Sequence, residues 1–399
     1  MATRVGLNRY LTVIAPSEVR APVAWSVLGR LPLVMISLGL ALFVLERASY
    51  QQAGTVVGVF TAGVAIVGLP VGRLLDRRGQ AGVLLVTGIL FPLALVAFVA
   101  GYPRSQPWDL TLVFAAGASR PPINSAVRAL WGSVLATPEG RSTAFALEAI
   151  FTEVFTIGGP LLLSLGTLFV STGTALITGG AVVGAGTIGL ALTKACRTWD
   201  GGRSATAVPT RWGPLGSPPF LLLLGCLGPA AMAVGMVSMA IPSFADARHS
   251  SGIAGILFAA WGVGSVVGGV WFGRSDSAQP AGARFATLLW LFGAGTALPI
   301  LAWDPWSLGA ALAIGGMVIA PLTALEYALV HEFVPPGALA EGFSWVASLN
   351  VLASAVGSQL AGVLMEHGSL RSVFATAAAG GLAAGVPARR LRRRSTAAT

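Results

Sequence analysis

Charge is what this sequence has least of. Asp, Glu, Lys and Arg make up 10% of its 399 residues, while 55% are hydrophobic; a soluble domain carries roughly a quarter charged residues. A water-soluble fold is excluded on that ground. Cysteine is almost absent: Cys196 lies in a polar segment and Cys226 inside an apolar run, so neither a disulfide nor a zinc spacing is expected. The three histidines, His249, His331 and His367, fall between apolar runs with no cluster of metal ligands beside them, which argues against a metal-dependent enzyme. No P-loop is present, so ATP is not the direct energy source of any work the chain performs. No cofactor is expected.

What the chain has instead is apolar length. Mean hydropathy is +0.78, and apolar runs recur at about the 20 residues a helix needs to cross the hydrocarbon core. They read as 24–46, 54–73, 81–101, 109–131, 143–166 and 170–192, then 219–241, 252–272, 284–303, 307–330, 343–365 and 370–388. The first run exceeds the core of a signal peptide and reads as a retained span. The expectation is an all-α membrane protein of twelve transmembrane helices in two pseudo-symmetric six-helix bundles. Residues 1–192 form the first, 193–218 a cytoplasmic central loop, and 219–399 the second with a basic tail.

The net charge of +10 and pI of 11.1 do not point to nucleic acid, because the basic residues fall between apolar runs. With the N-terminus in the cytoplasm, eighteen Lys and Arg lie in cytoplasmic segments and four, Arg47, Arg104, Arg248 and Arg371, on the other side. The positive-inside rule then places both termini in the cytoplasm of a multi-pass plasma-membrane protein. Arg389 to Arg394 act first as a topology signal and then as a contact for anionic lipid. Trp108, Trp303 and Trp306 are expected as anchors at the outer boundary.

The two parts echo one another. Gly68-x-x-x-Gly72-Arg73 returns as Gly269-x-x-x-Gly273-Arg274 after 201 residues. Pro121 is answered by Pro321 after 200, and Leu147-Glu148 by Leu349-Asn350 after 202. Matches in chain order at a nearly constant offset indicate a parallel repeat about an axis along the membrane normal.

The turn Gly72-Arg73-Leu74-Leu75-Asp76-Arg77-Arg78-Gly79-Gln80 resembles the signature G-x-x-x-D-R/K-x-G-R/K of the major facilitator superfamily, departing from it at Gln80. Arg120-Pro121-Pro122-Ile123-Asn124 is similar to that family's R-x-x-x-G element, with Asn124 replacing glycine, and Gly159-Pro160 to the centre of its antiporter element. As a whole the pattern resembles small drug-efflux-type or uncharacterised actinobacterial members. The resemblance implies a conformational latch built from Gly72, Asp76, Arg77 and Gly79, with Gly273 and Arg274 as its degenerate echo. Physically, a carboxylate at that turn can accept hydrogen bonds from an exposed helix N-terminus.

Ionisable groups within spans mark function or permanent clamps. At ~1.5 Å per residue, Arg30 and Glu148 share a depth of roughly 9 Å, and Arg120 and Glu153 lie near the midplane at ~15 Å. Two pairs are therefore expected, Arg30 with Glu148 and Arg120 with Glu153. Together with Asn350 they are the candidate substrate or proton-coupling residues. Arg128 and Glu326 read as interfacial. The expected activity is alternating-access transport of a small amphipathic molecule, proton-coupled export first and import or facilitation of a nutrient second. The expected partners are that substrate, protons and membrane lipid, with the protein a monomer.

Overall fold

The computed structural model describes residues 16–135, 137–199, 213–246, 251–274, 279–335, 337–367 and 369–395. Among them all regular structure is helical. The first group is α1 (Ser17–Leu45), α2 (Tyr50–Arg78), α3 (Gln80–Gly101), α4 (Gln106–Ala118), α5 (Ile123–Val134), α6 (Pro138–Phe169), α7 (Thr172–Leu192) and the short α8 (Lys194–Thr198). The second is α9 (Pro218–Asp246), α10 (Ser251–Arg274), α11 (Ala281–Ala297), α12 (Pro305–Gly316), α13 (Ile319–Phe333), α14 (Leu339–His367) and α15 (Leu370–Ser395). Arg4, Arg9, Arg203, Arg211 and Arg248, which entered the charge count, lie outside the described residues, as does the side chain of Arg274.

Local sequence sets the helix ends. Ser49 caps α2 by accepting from the Gln52 N–H at 3.3 Å. Asp304 and Ser307 form a capping box on α12. Gly79, with φ of +87°, ends α2 and starts α3 without a loop, in a backbone conformation that favours glycine.

Nine helical segments among the described residues are long and apolar enough to cross a membrane; the sequence reading expected twelve. Two of the other three expected spans differ for physical reasons. Segment 109–131 is broken into α4 and α5, because Pro121 and Pro122 supply no backbone N–H and the chain cannot stay helical through them. Segment 143–166 lies in α6, a 32-residue helix carrying Glu148 and Glu153, in which the side chains of residues 157, 160, 161 and 164 lie outside the described residues. Segment 370–388 lies in α15, which is rich in Ala and Gly rather than in large apolar residues. Segment 307–330 breaks as 109–131 does: α12 stops at Gly316 and α13 starts at Ile319, just before Pro321.

Close packing rests on small residues. α1 packs on α7, α3 on α7 and α2 on α4, while α9 packs on α14 and α15, α10 on α12 and α11 on α15. A Cβ added at Gly117 would strike the Phe60 carbonyl, and one at Gly268 the Met317 carbonyl, so backbones touch there as membrane helices permit. Between the two groups, α6 meets α10 and α13, and α14 meets α2 and α5. Trp131, Phe145 and Phe343 fill the core along that seam. The outer surface is apolar: Leu93, Leu168, Phe169 and Trp271 are exposed, and so are Trp108, Trp303 and Trp306. Both cysteines are free and buried. The Cys196 thiol donates to Gln80 Oε1 at 3.4 Å, and burial pushes its pKa up to about 11, so it stays a neutral packing group.

Candidate functional site

The break between α4 and α5 exposes a site that a continuous helix would hide. The Arg120 N–H still donates to the Gly117 carbonyl at 3.2 Å, after which the two prolines release the chain. The Arg120 side chain then enters a recess of about 130 Å³ together with Thr61, Asn124, Ser125, Ser344 and Ser348. The expected pair with Glu153 is not formed. Among the described residues ion pairs join Arg30 to Glu148, Arg47 to Glu46, Arg73 to Glu341 and Lys194 to Glu18, and none reaches Arg120. Equal depth in the membrane did not bring the two side chains onto facing surfaces. Glu153 turns instead to the Ser265 hydroxyl of α10, whose oxygen also accepts from the Ala320 N–H at 3.1 Å.

The Arg30–Glu148 pair is present. Arg30 Nη1 donates to Glu148 Oε2 at 2.7 Å, with the two side chains 3% and 1% exposed. The Phe155 ring lies 5.1 Å from the guanidinium. It ties α1 to α6 inside the first helix group.

Arg128 and Glu326 are not interfacial, contrary to the sequence reading; each is 6% exposed. Arg128 donates to the Tyr327 hydroxyl and lies 3.8 Å from the centre of its ring, joining α5 to α13. Asn350 Nδ2 donates to Glu326 Oε1 at 3.3 Å, and Arg128 also lies close enough to act on Glu326 electrostatically. Glu326 and Asn350 line a cavity of about 720 Å³ whose other walls include Leu227, Ala230, Ile319 and Leu322. Sequence reasoning undervalued Glu326 because its place near a span end suggested snorkelling. The missed signal was the helix break at Pro321, which draws the following residues into the protein.

At the far end of α2 the seam is closed. Asp76 Oδ1 accepts from the Ala340 N–H at 3.0 Å and Oδ2 from the Glu341 N–H at 2.8 Å. Both donors belong to the first turn of α14, whose N–H groups have no partner within the helix. Arg73 donates to Glu341 Oε1 through Nε and Nη2, each at 2.8 Å. Gly72 lies so close to α14 that an added Cβ would stand 2.5 Å from Ser344 Oγ. Ser344 in turn meets Ser125 at 3.3 Å. Arg77 is exposed and makes no hydrogen bond or ion pair among the described residues; Arg73, one turn earlier, takes the polar contact. Gly273 lies in the last turn of α10 and is half-buried. Glu341 was missed altogether, although its position in the first turn of the helix after Pro335 and Gly337 was a legible sign.

No family model matches the sequence, and no curated protein matches it. Solved structures do. A bacterial homologue of the iron transporter ferroportin, in an outward-facing state, superimposes with a TM-score of 0.73 at 16% identity, over 93% of this chain and 99% of that one. The human organic anion transporter MFSD10 (TETRAN) gives 0.69 at 16% identity, over 94% and 100%. This chain shares the fold of both. It is an all-α, multi-pass membrane fold, and the solved structures that share it here are transporters rather than enzymes. At such identity the likeness ends at the fold, and no particular efflux family is singled out.

Proposed function

We propose that this protein is a secondary transporter of the plasma membrane that moves a small amphipathic molecule by alternating access, with proton-coupled export as the leading mode. Its twelve spans, counting the two broken ones as single crossings, would form two six-helix bundles with both termini in the cytoplasm. The observation that carries this reading is a latched seam with cavities beside it. At one end the Asp76 carboxylate of the first group holds the first turn of α14 in the second, and a recess and a larger cavity, each with a few polar groups in mainly apolar walls, lie between the helix groups. A seam latched by two hydrogen bonds can open and close within a few kcal/mol, which a bistable transporter requires. On the proposed orientation the latched end is cytoplasmic. The shared fold leaves the cargo open, since one of the similar proteins is a homologue of an iron transporter and the other an organic anion transporter.

Among the carboxylates, Glu153 is the best placed to exchange a proton. Glu148 has its charge matched by Arg30, whereas Glu153 lies on the seam and faces a neutral hydroxyl on α10. Gradient-driven flux of labelled lipophilic cations and anions into proteoliposomes of the purified chain tests both statements. Glu153→Gln should abolish the dependence of flux on the proton gradient. Glu148→Gln should instead destabilise the fold, by about 3–5 kcal/mol if the unpaired Arg30 stays buried. Absence of flux for every compound would remove the transport reading, and unchanged gradient dependence in Glu153→Gln would remove the coupling role.

A further inference from the structure

Arg120 stands apart from the other cations of the seam and core. Arg30 has Glu148 at 2.7 Å, Arg73 has Glu341 at 2.8 Å, and Arg128 has the ring and hydroxyl of Tyr327 with Glu326 nearby. Arg120 has no such partner among the described residues. A guanidinium does not shed its proton in a protein, so its charge persists and its five donors must be met by water or by an anion. No Asp or Glu lines the recess it enters, whose polar groups are hydroxyls and one amide. The Asn124 Oδ1 in that lining is buried without a hydrogen-bond donor. Turned over, the same amide offers two N–H donors. A persistent positive charge, hydroxyls that can rotate and no acidic neighbour together make a receptor for an oxyanion, which the planar guanidinium fork binds with two parallel hydrogen bonds.

The recess also has somewhere for an apolar body to go. Val351 of α14 lines both the recess and the cavity of about 720 Å³, whose walls are mostly apolar. The carboxylate in that larger cavity, Glu326, is already engaged by Asn350. Since α2, α5 and α14 all contribute to the recess, a molecule held there contacts both helix groups and would be exposed to whichever side the seam opens.

We propose that the recess at the α4–α5 break binds the anionic head of an amphipathic substrate on Arg120, with its apolar body extending past Val351 into the larger cavity. The proposal rests on the transport reading and gives it a substrate class. An anionic lipid presents the same head-and-body chemistry, so the test must separate the two sources.

The full chain is placed in phosphatidylcholine nanodiscs and titrated with a series of ω-phenyl carboxylates and their matched amides and amines, read by tryptophan fluorescence. The carboxylates should bind at least tenfold more tightly than either neutral or cationic analogue. Arg120→Gln should erase that preference, and Arg120→Lys should keep part of it. Because Arg120 has no ionic partner, Arg120→Gln should leave the melting temperature unchanged or raise it, which separates lost binding from lost folding. Competition by phosphatidylglycerol added to the disc would show the same site taken by lipid and would support the anion chemistry. Equal binding of all three headgroups, no binding of the carboxylates, or an unaltered preference in Arg120→Gln would overturn the proposal. Binding that depends on Arg120 without flux in proteoliposomes would leave the anion site standing and remove the transport reading. Flux indifferent to Arg120→Gln and to headgroup charge would do the reverse.

Discussion

Two junctions of the seam occupy equivalent places in the sequence repeat and are built differently. At one, the end of α2 meets the start of α14; at the other, the end of α10 meets the first part of α6. The residues before α14 are Pro335, Pro336, Gly337 and Ala338, none of which has a side chain that can cap a helix. The cap comes from Asp76, which lies far away in sequence and in the other helix group. α6 brings its own: Thr137, 201 residues before Ala338, accepts from the Gly140 N–H at 3.2 Å. Across the second junction Gly269 meets Ile150 and Ala320 through apolar atoms. A helix start is therefore capped from across the seam at one junction only. Separating α2 from α14 strips the start of a helix of its hydrogen bonds, whereas α6 would keep its Thr137 cap when α10 moves away.

The largest expected effect follows from removing that borrowed cap. Each hydrogen bond to a charged group contributes about 1.5–3 kcal/mol, part of which water restores when the junction opens. Asp76→Ala should therefore raise the labelling rate of a thiol at buried Ser344, installed as Ser344→Cys with Cys196 and Cys226 replaced by Ala, at least tenfold. Thr137→Ala at the other junction should cost about 1 kcal/mol of stability and leave that labelling rate alone. Equal effects of the two substitutions on labelling would mean that the junctions are alike after all.

A smaller effect is expected from steric separation. A Cβ at Gly72 would stand 2.5 Å from Ser344 Oγ and 3.1 Å from the Ala340 carbonyl oxygen, and the second of these is backbone that cannot rotate away. Overpacking of this kind costs about 1–3 kcal/mol, here charged against the closed state. Gly72→Ala should expose a thiol placed at Ser125, whereas Gly269→Ala should strain only apolar packing at the other junction and lower the melting temperature. Protection of the Ser125 position in Gly72→Ala would show that α2 and α14 close without that intimate contact.

Much of this was legible in the residues. The repeat paired Pro121 with Pro321, although both segments read as continuous spans, and the turn from Gly72 to Gly79 announced a carboxylate aimed at a helix start. The Arg30–Glu148 pair followed from depth alone. Depth failed for Arg120 and Glu153 because it fixes height in the membrane and not azimuth, and the double proline re-aims everything after Ser119. Arg128 and Glu326 were misplaced for a related reason: the breaks before α5 and α13 turn residues that a straight helix would carry to the surface back into the seam. What a sequence conveys poorly is which way a side chain points after a helix has been interrupted.

The smallest effect sharpens the comparison within the polar junction itself. Asp76 is 4% exposed, whereas the Arg73 side chain that pairs with Glu341 is 49% exposed. Water and salt screen the second interaction and not the first, so Arg73 is expected to contribute only about 0.2–1 kcal/mol. Arg73→Ala should then raise labelling at the Ser344 position no more than about fivefold, and the difference from wild type should fade as ionic strength rises and the Debye length drops to about 3 Å at 1 M salt. The Asp76→Ala effect should persist across the same titration, because its hydrogen bonds lie inside the closed junction. A salt-insensitive loss in Arg73→Ala as large as that of Asp76→Ala would mean that the guanidinium fixes the first turn of α14 through Glu341, and that the borrowed cap is a three-residue device rather than a single carboxylate.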